Sequence, residues 1–371
     1  MGDAADLKRE LGILDVPHEF DVRLKLRLSS LRRLLVGFLY DRGSSQGLSW
    51  RARLRLWRRG FSAVSYRLYR LDLNPWSDYL SDSAAMDDIL IHRHRYAIND
   101  KLNQSYLFER LGIGHPRILA FVRAGRLLVP GAGGQQPAAE WLAALPEEDR
   151  RYVLKPVSGL AGFGIIFLRW GPGGAAINGT DLSRQQVEVV VSSLDQYLVT
   201  AYAEQAEYSR VIHGPTPNTV RLLTLWDVDA GSPFVAAAIH RFGSARSGLV
   251  DNFHQGRGGL SAGVGLDDGV LGPGARLVEG GELEMCAAHP DTGAQIEGIQ
   301  VPHWQQVLDE AIRLAAAVPQ VPFIGWDIIV TEAGPRWLEA NCPPCAAVWQ
   351  VHGPLLADPR ARAFYASLGI R

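Results

Sequence analysis

Phe323-Ile-Gly-Trp-Asp-Ile-Ile-Val-Thr-Glu-Ala-Gly-Pro-Arg-Trp-Leu-Glu-Ala-Asn341 reads as two apolar strands, Phe323 to Val330 and Arg336 to Asn341, folded back on each other. A turn centred on Ala333 sets Asp327 opposite Glu339, and the period of two puts Asn341 on the same face. Directly opposed side chains have Cβ atoms about 4.5–5.5 Å apart. Two carboxylates that close repel, so the pairing calls for a cation between them. Two carboxylates and an amide oxygen make a hard, all-oxygen donor set suited to Mg²⁺. The alternative is a solvated hairpin face. Ile324, Trp326, Ile328, Trp337 and Leu338 form the expected buried side.

Upstream, Tyr152 to Lys155 reads as a strand, Pro156 to Gly164 as a Gly-rich turn, and Gly164 to Trp170 as the partner strand. Gly159, Gly162 and Gly164 would let backbone N–H groups turn toward a polyanion, and Lys155 would add a point charge. The spacing is neither the dinucleotide fingerprint nor the P-loop, and a strand–loop–strand context is wrong for both. A plain hairpin turn is the alternative. Only four of the 38 basic residues are lysines, namely Lys8, Lys25, Lys101 and Lys155. Arg is the default cation here, so a retained Lys draws attention to its position.

Pro217-Asn-Thr-Val-Arg221 enters one strand and His240-Arg241 leaves the next. If those strands pair, Arg221 and Arg241 reach one cleft, where guanidinium groups stabilise charge on a transferring phosphoryl oxygen. Asp251 to Gly259, with Asn252, reads as an active-site loop rich in donors, or as an ordinary surface loop. Residues 243–300 are Gly-rich and weakly periodic, which predicts long loops over a site. Helices are expected over Asp181 to Asp195 and Trp304 to Ala317. Cys342-Pro-Pro-Cys345 has redox spacing but no second pair, and His289, His303 and His352 read as ordinary polar or capping residues. The order of elements is mixed α and β without the regular alternation of a doubly wound sheet, an α+β arrangement.

The 371 residues carry a net charge of −1, which argues against a chain built as a whole around nucleic acid. That average hides a basic segment: residues 23–70 hold 13 Lys or Arg and one acid, leaving an acidic remainder. Two amphipathic basic helices are expected there, from Val22 to about Tyr40 and from Arg51 to Tyr69. They either pack on the body with arginines in water or dock on an anionic membrane surface, a lipid-linked glycan or RNA. Three cysteines are too few for a disulfide framework, and no apolar run approaches the roughly 20 residues needed to span a bilayer. The expectation is a cytoplasmic protein, peripheral to the membrane if the arginines dock there.

Asn99-Asp-Lys101, Lys155 ahead of the Gly-rich loop, and Asp327 with Glu339-Ala-Asn341 resemble the three signatures of the ATP-grasp superfamily. Asn218-Thr-Val-Arg221, Val250-Asp-Asn-Phe-His-Gln-Gly256, His289-Pro-Asp-Thr-Gly293, Val301-Pro-His-Trp304, Gly325-Trp-Asp327 and Leu338-Glu-Ala-Asn341 are similar to its sugar-transfer-associated group, over about residues 98–350. The resemblance implies an α+β fold in which a nucleotide-lid subdomain, 96–198, and a metal-binding subdomain, 199–371, clasp ATP behind a basic helical region, 1–95. It implies Lys101 and Lys155 on the phosphates, with the loop from Ser158 through Gly159 and Gly162 to Gly164 closing over them. Ala201, Tyr202 and Ala203 would lie at the adenine hinge, with Glu204 or Glu207 near the ribose, although Thr200-Ala201 departs from the acidic residue many relatives place there. Asp327, Glu339 and Asn341 would hold one or two Mg²⁺, with Arg221, Arg241 and Asn252 beside the reacting groups.

The chemistry implied is an ATP-dependent carboxylate–amine ligase that passes through an acylphosphate, in natural-product or glycan biosynthesis. The alternatives are a phosphotransferase acting on a hydroxyl, and a non-catalytic ATP-binding module recruited to membrane or glycosyltransferase complexes. No nucleophilic side chain is required by any of these, and the carboxylate, the amine and the oligomeric state stay open.

Overall fold

A computed structural model describes residues 38, 48–85, 94–146, 148–158, 164–253, 258–278 and 282–370. The helix expected over 22–40, Phe38 apart, and the loop glycines Gly159 and Gly162 lie outside the described residues. Among the described residues, no helix is long and apolar enough to cross a membrane.

Two antiparallel sheets organise the chain. The first joins β1 (Ile118–Arg123), β2 (Arg126–Leu128), β3 (Gln135–Pro137), β4 (Arg150–Pro156), β5 (Ile166–Gly171), β6 (Gly174–Ile177), β7 (Thr180–Leu182) and β8 (Tyr197–Ala201) in the order β3-β2-β1-β8-β4-β5-β6-β7. Alternation puts Ala120, Val122, Leu154 and Leu168 on one face. The helices Ala138–Ala143 and Arg184–Ser192 cover that face with Trp141, Leu142, Val187 and Val191. The helix expected over Asp181 to Asp195 begins later, because Thr180–Leu182 pairs with β6 and Ser183 closes a capping box with Gln186.

The second sheet joins β9 (Val220–Asp227), β10 (Ser232–Phe242), β11 (Leu260–Val264), β12 (Leu271–Leu277), β13 (Leu283–Cys286), β14 (Phe323–Thr331) and β15 (Gly334–Asn341) in the order β13-β12-β11-β10-β9-β14-β15. The helix Trp304–Ala317 lies against it through Val307, Ala311 and Leu314. Residues 243–300, expected as long loops, supply β11 to β13, and this corrects the sequence reading. Leu260-Ser-Ala-Gly-Val264 is buried along most of its length, so small residues take the place of the alternation that would have marked a strand.

The larger core also takes in the N-terminal part. Phe61, Leu68, Tyr69, Leu71, Tyr79 and Leu80 belong to it, as do Ile98, Phe108 and Ile113. The Trp337 N–H reaches the Gly114 carbonyl at 2.9 Å. The described residues from Phe61 to Gly114 thus pack with the second sheet, and the first sheet begins after them. In the helix Trp50–Arg58, Leu56 is buried while Arg51, Arg55 and Arg58 are exposed.

The β14–β15 register carries the main surprise of the fold. Asp327 faces Glu339 and Gly325 faces Asn341, but Ile328 faces Trp337 and Thr331 faces Gly334. The turn is the two-residue Glu332-Ala333, with Gly334 at φ 112°, and a bulge at Leu338 restores the opposition of the carboxylates. By strict alternation Trp337, Glu339 and Asn341 would share a face. The extra residue separates them: Trp337 meets Trp326 edge-on at 5.6 Å inside the core, while Glu339 and Asn341 face out with Asp327. Leu338, expected on the buried side, lines the cleft instead.

Candidate functional site

A cavity of about 440 Å³ opens between the sheets. Val153, Phe167 and Ala201 from the first sheet, Ile165 just ahead of β5, and Ile329 and Leu338 from the second sheet make its apolar walls. Lys101, Lys155, Arg221, Arg241, Asn252, Asp327, Glu339 and Asn341 line its polar end. Residues from seven separate segments of sequence thus meet in one place.

Lys101 starts the helix Lys101–Arg110, whose preceding residue Asp100 caps the Leu102 and Asn103 N–H groups. That cap fixes where the Lys101 side chain leaves the backbone, and its Nζ lies 3.4 Å from Glu339 Oε2. Asn99 exchanges two hydrogen bonds with the Cys342 backbone, so the Asn99–Lys101 turn is tied to the end of β15. Lys155 leaves the end of β4 and donates to the Leu338 carbonyl at 3.2 Å, bridging the sheets at the bulge.

Burial lowers the pKa of Lys155 to about 8; Glu339 pulls it back up and Lys101 pushes it further down. Phosphate groups arriving beside Lys155 would restore its full charge. At pH 8, ATP binding is therefore expected to take up about half a proton. Calorimetry in buffers of different ionisation enthalpy reads this uptake, and Lys155→Arg, permanently charged, should remove it. An uptake that persists in Lys155→Arg would assign the proton to another group.

Asp327 is buried, and both its oxygens are engaged by Arg221, whose Nε and Nη2 each donate at 2.6 Å. Arg241 Nη2 adds a contact at 3.3 Å. Burial alone would raise the Asp327 pKa; the two guanidiniums outweigh it and hold the carboxyl below the usual range. The Asp327 carboxylate in turn holds Arg221 above its ordinary value against the cost of burial. The sequence reading required a cation between the carboxylates, and here protein cations serve: Arg221 and Arg241 on Asp327, Lys101 on Glu339. Arg221 and Arg241, expected to lie free beside reacting groups, are thus partly committed to Asp327. Two of the five guanidinium N–H groups of Arg221 serve the carboxylate, and the geometry leaves a cleft-lining edge.

Thr219 and Asp251 were not singled out by the sequence reading, yet they set Arg241. Asp251 accepts from the Thr219 N–H at 2.9 Å and from its hydroxyl, while Arg241 Nε donates to Thr219 Oγ1 at 3.0 Å and lies 3.4 Å from Asp251. Burial raises the Asp251 pKa, which Arg241 and Thr219 oppose. His240, beside Arg241, is held neutral by burial with a pKa of about 3, and accepts from the Tyr208 hydroxyl.

Asn341 Nδ2 lies 3.4 Å from Asp327 and 3.2 Å from Glu339. Turning its amide over would present an oxygen, completing three hard donors around one point. The donor chemistry fits Mg²⁺.

Other expected residues are placed differently. Ala201, Tyr202 and Ala203 line the cavity, but the Ala201 and Tyr202 N–H groups donate to the Arg117 and Arg151 carbonyls. Glu204 does not line the cavity; it pairs with Arg151, which also stacks over Tyr202 at 4.0 Å. The reason is local, since Arg151 on β4 points at the chain leaving β8. Ser158 is exposed. Gly164 has φ 75°, and a Cβ there would come within 2.8 Å of the Tyr197 hydroxyl, which explains the glycine.

Two antiparallel sheets closing on a cleft, with Lys155 from one side and Lys101 beside a carboxylate–carboxylate–amide triad on the other, define an ATP-grasp fold. Within that class the chain belongs to the sugar-transfer-associated ATP-grasp family, whose signature covers residues 88–364. No curated protein matches the chain. Among solved structures it is similar to a D-Ala:D-Ser ligase from Enterococcus faecalis, at 13% identity over 72% of this chain and 61% of that one, TM-score 0.38. It is also similar to a D-alanine–D-alanine ligase from Helicobacter pylori, at 9% identity over 74% and 59%, TM-score 0.39. A third likeness is to an N5-carboxyaminoimidazole ribonucleotide synthetase from Thermotoga maritima, at 10% identity over 72% and 50%, TM-score 0.34. The chain thus spans half to about three fifths of the length of these structures.

Proposed function

We propose that the protein is an ATP-dependent ligase that joins a carboxylate to an amine through an acylphosphate. The observation that carries this reading is the convergence of Lys101, Lys155, Arg221 and Arg241 on the triad Asp327, Glu339 and Asn341 at one end of an apolar slot. The slot walls, Val153, Ile165, Phe167 and Leu338, suit the flat face of a base and keep water from it. Lys101 and Lys155 then meet the phosphates as point charges. A divalent cation held by Asp327, Glu339 and Asn341 would supply charge neutralisation on the transferring phosphoryl oxygens.

In the reaction, a substrate carboxylate oxygen attacks the γ-phosphorus and ADP leaves with the bonding electrons. An amine attacks the acyl carbon, and phosphate leaves as the amine proton is lost. Arg221 and Arg241 line the cleft and would stabilise the negative charge that grows in both steps, and Thr219 and Asp251 hold Arg241 in place. Nothing in this sequence asks a side chain to act as nucleophile.

Glu339→Gln separates chemistry from stability. Glu339 keeps 27% of its side chain exposed, so water can reach the place of the lost charge, but its partner Lys101 is 7% exposed, and the change should cost about 1–3 kcal/mol, less than the loss expected at Asp327. Mg²⁺-dependent turnover should fall about 10²-fold, on the scale of removing one preorganised electrostatic contact. Equal loss of stability and activity would make Glu339 structural.

The proposal is tested with Mg-ATP and pooled amino acids, uronic acids and other small acids, with and without hydroxylamine, with Lys155→Ala as blank. Hydroxamate formed together with ADP and phosphate supports the ligase. A phosphorylated product without hydroxamate would replace it with a phosphotransferase, and ATP binding without consumption in any pool would favour a binding module.

A further inference from the structure

A second group of ligand-type side chains lies outside the cleft. His213 follows the helix Glu207–Ile212, and His289 and Asp291 occupy the turn His289-Pro-Asp-Thr-Gly293. That turn is closed by the Gly293 N–H on the His289 carbonyl at 2.8 Å, and Thr292 Oγ1 donates to the Ile212 carbonyl at 2.8 Å. One ligand atom from each of His213, His289 and Asp291 lies within 4.8 Å of the other two.

His213 is 4% exposed, and neither of its ring nitrogens has a hydrogen-bond partner. A buried polar group left so is costly, and a bound ion or water is one arrangement that satisfies it. The two imidazoles stack with centroids 4.9 Å apart, and burial together with His289 keeps His213 in the neutral, ligating form. His289 is oriented as metal-bound imidazoles are. Its Nε2 faces the Gly243 carbonyl at 2.8 Å and so carries the proton, which leaves the Nδ1 lone pair toward the cluster. The Asp291 N–H donates to that Nδ1 at 3.3 Å, a long bond that a metal ion at the cluster would displace. Asp291 Oδ2 accepts from the Ala245 N–H at 2.8 Å, and its exposure gives the site an entrance.

We propose that His213, His289 and Asp291 bind a first-row divalent metal ion of the Zn²⁺ class, at a site distinct from the cleft. Two imidazoles and one carboxylate favour Zn²⁺ over Mg²⁺, and three protein ligands leave the fourth tetrahedral position to water. With metal–nitrogen distances of about 2.0–2.1 Å the ligand atoms draw together by roughly 1.5 Å, within reach of side-chain rotation.

The site has a structural consequence for the cleft. The His213 carbonyl accepts from Asn218 Nδ2 at 2.7 Å, and the Gly243 N–H donates to Asn218 Oδ1 at 3.1 Å. Asn218 precedes Thr219, which sets Arg241. The metal would clamp both sides of Asn218, independently of which reaction the cleft performs.

The test uses the full chain, stripped with chelator and re-equilibrated with Zn²⁺ in excess Mg²⁺. One Zn²⁺ per chain is expected by elemental analysis, with a rise in melting temperature. Co²⁺ in its place should show the strong visible absorption of a tetrahedral ion, which an oxygen-ligated octahedral site lacks. Asp291→Asn, at an exposed position, should weaken affinity at least about 10-fold without moving the melting temperature of the metal-free protein. His213→Gln should remove the Co²⁺ absorption. Failure to retain Zn²⁺, retention unchanged in Asp291→Asn, or loss of Zn²⁺ in Glu339→Gln but not in Asp291→Asn would each overturn the assignment.

Discussion

Lys155→Ala is expected to abolish the rise in melting temperature that ATP produces and to lower turnover at saturating substrate by about 10²–10³-fold. The side chain spans the two sheets, from the end of β4 to the Leu338 carbonyl, and stands beside Lys101 and Glu339. Its burial makes the ammonium costly to keep in the free protein, which is tolerable where an anion is to be received. For the same reason the unliganded variant should be at least as stable as the parent: one hydrogen bond is lost, and a desolvated charge goes with it. Thermal shift with and without Mg-ATP checks both parts. A variant that ATP still stabilises would remove Lys155 from the nucleotide site.

Asp327→Asn has the second large effect, and it falls on stability as well as on turnover. Arg221 and Arg241 have side chains 15% and 7% exposed, and both face the Asp327 carboxylate. Removing its charge leaves Arg221 buried without the carboxylate that engages it and Arg241 with Asp251 alone, and breaking a buried pair typically costs about 3–5 kcal/mol. The denaturant midpoint should fall accordingly at constant m-value. Adding Arg221→Met should return part of that stability, since the pair is coupled, while activity stays lost. If Asp327→Asn matches the parent midpoint, the ion pairs described here do not hold the fold. This coupling is the reason Glu339, not Asp327, is the position that isolates the chemistry.

Much of the cleft was legible in the linear sequence. Asp327, Glu339 and Asn341 could be placed on one face because a hairpin is a local structure, and the four lysines drew attention to Lys101 and Lys155 because Arg is otherwise the cation of this chain. The paired entry of Arg221 and Arg241 followed from two adjacent strands, and the register bears it out, with Arg221 opposite Ile239. The reading failed where the deciding neighbour is distant. β11 to β13 are strands because β10 and the helix Trp304–Ala317 offer them a surface, and their small residues carry no period of their own.

The carboxylate opposition shows both sides at once. It was reached from a turn at Ala333 without a bulge, whereas the protein arrives at it with a tighter turn and an extra residue at Leu338. The tight turn and the bulge cancel at Glu339, so the pairing survived an error in its derivation. They do not cancel at Trp337, which the core claims through Trp326 and Glu310. Packing, not alternation, chose that side chain's face.

The sequence by itself determined which residue types were available and how those within one hairpin or one turn meet, because short-range geometry follows from backbone period and turn length. Only the tertiary structure decided which charges neutralise which. Asp327 is 106 residues from Arg221 and Lys101 is 238 from Glu339, and no local rule ranks partners at such distances. Burial did the ranking: once these groups leave water, each charge must find an opposite charge, and the sheets bring those choices together.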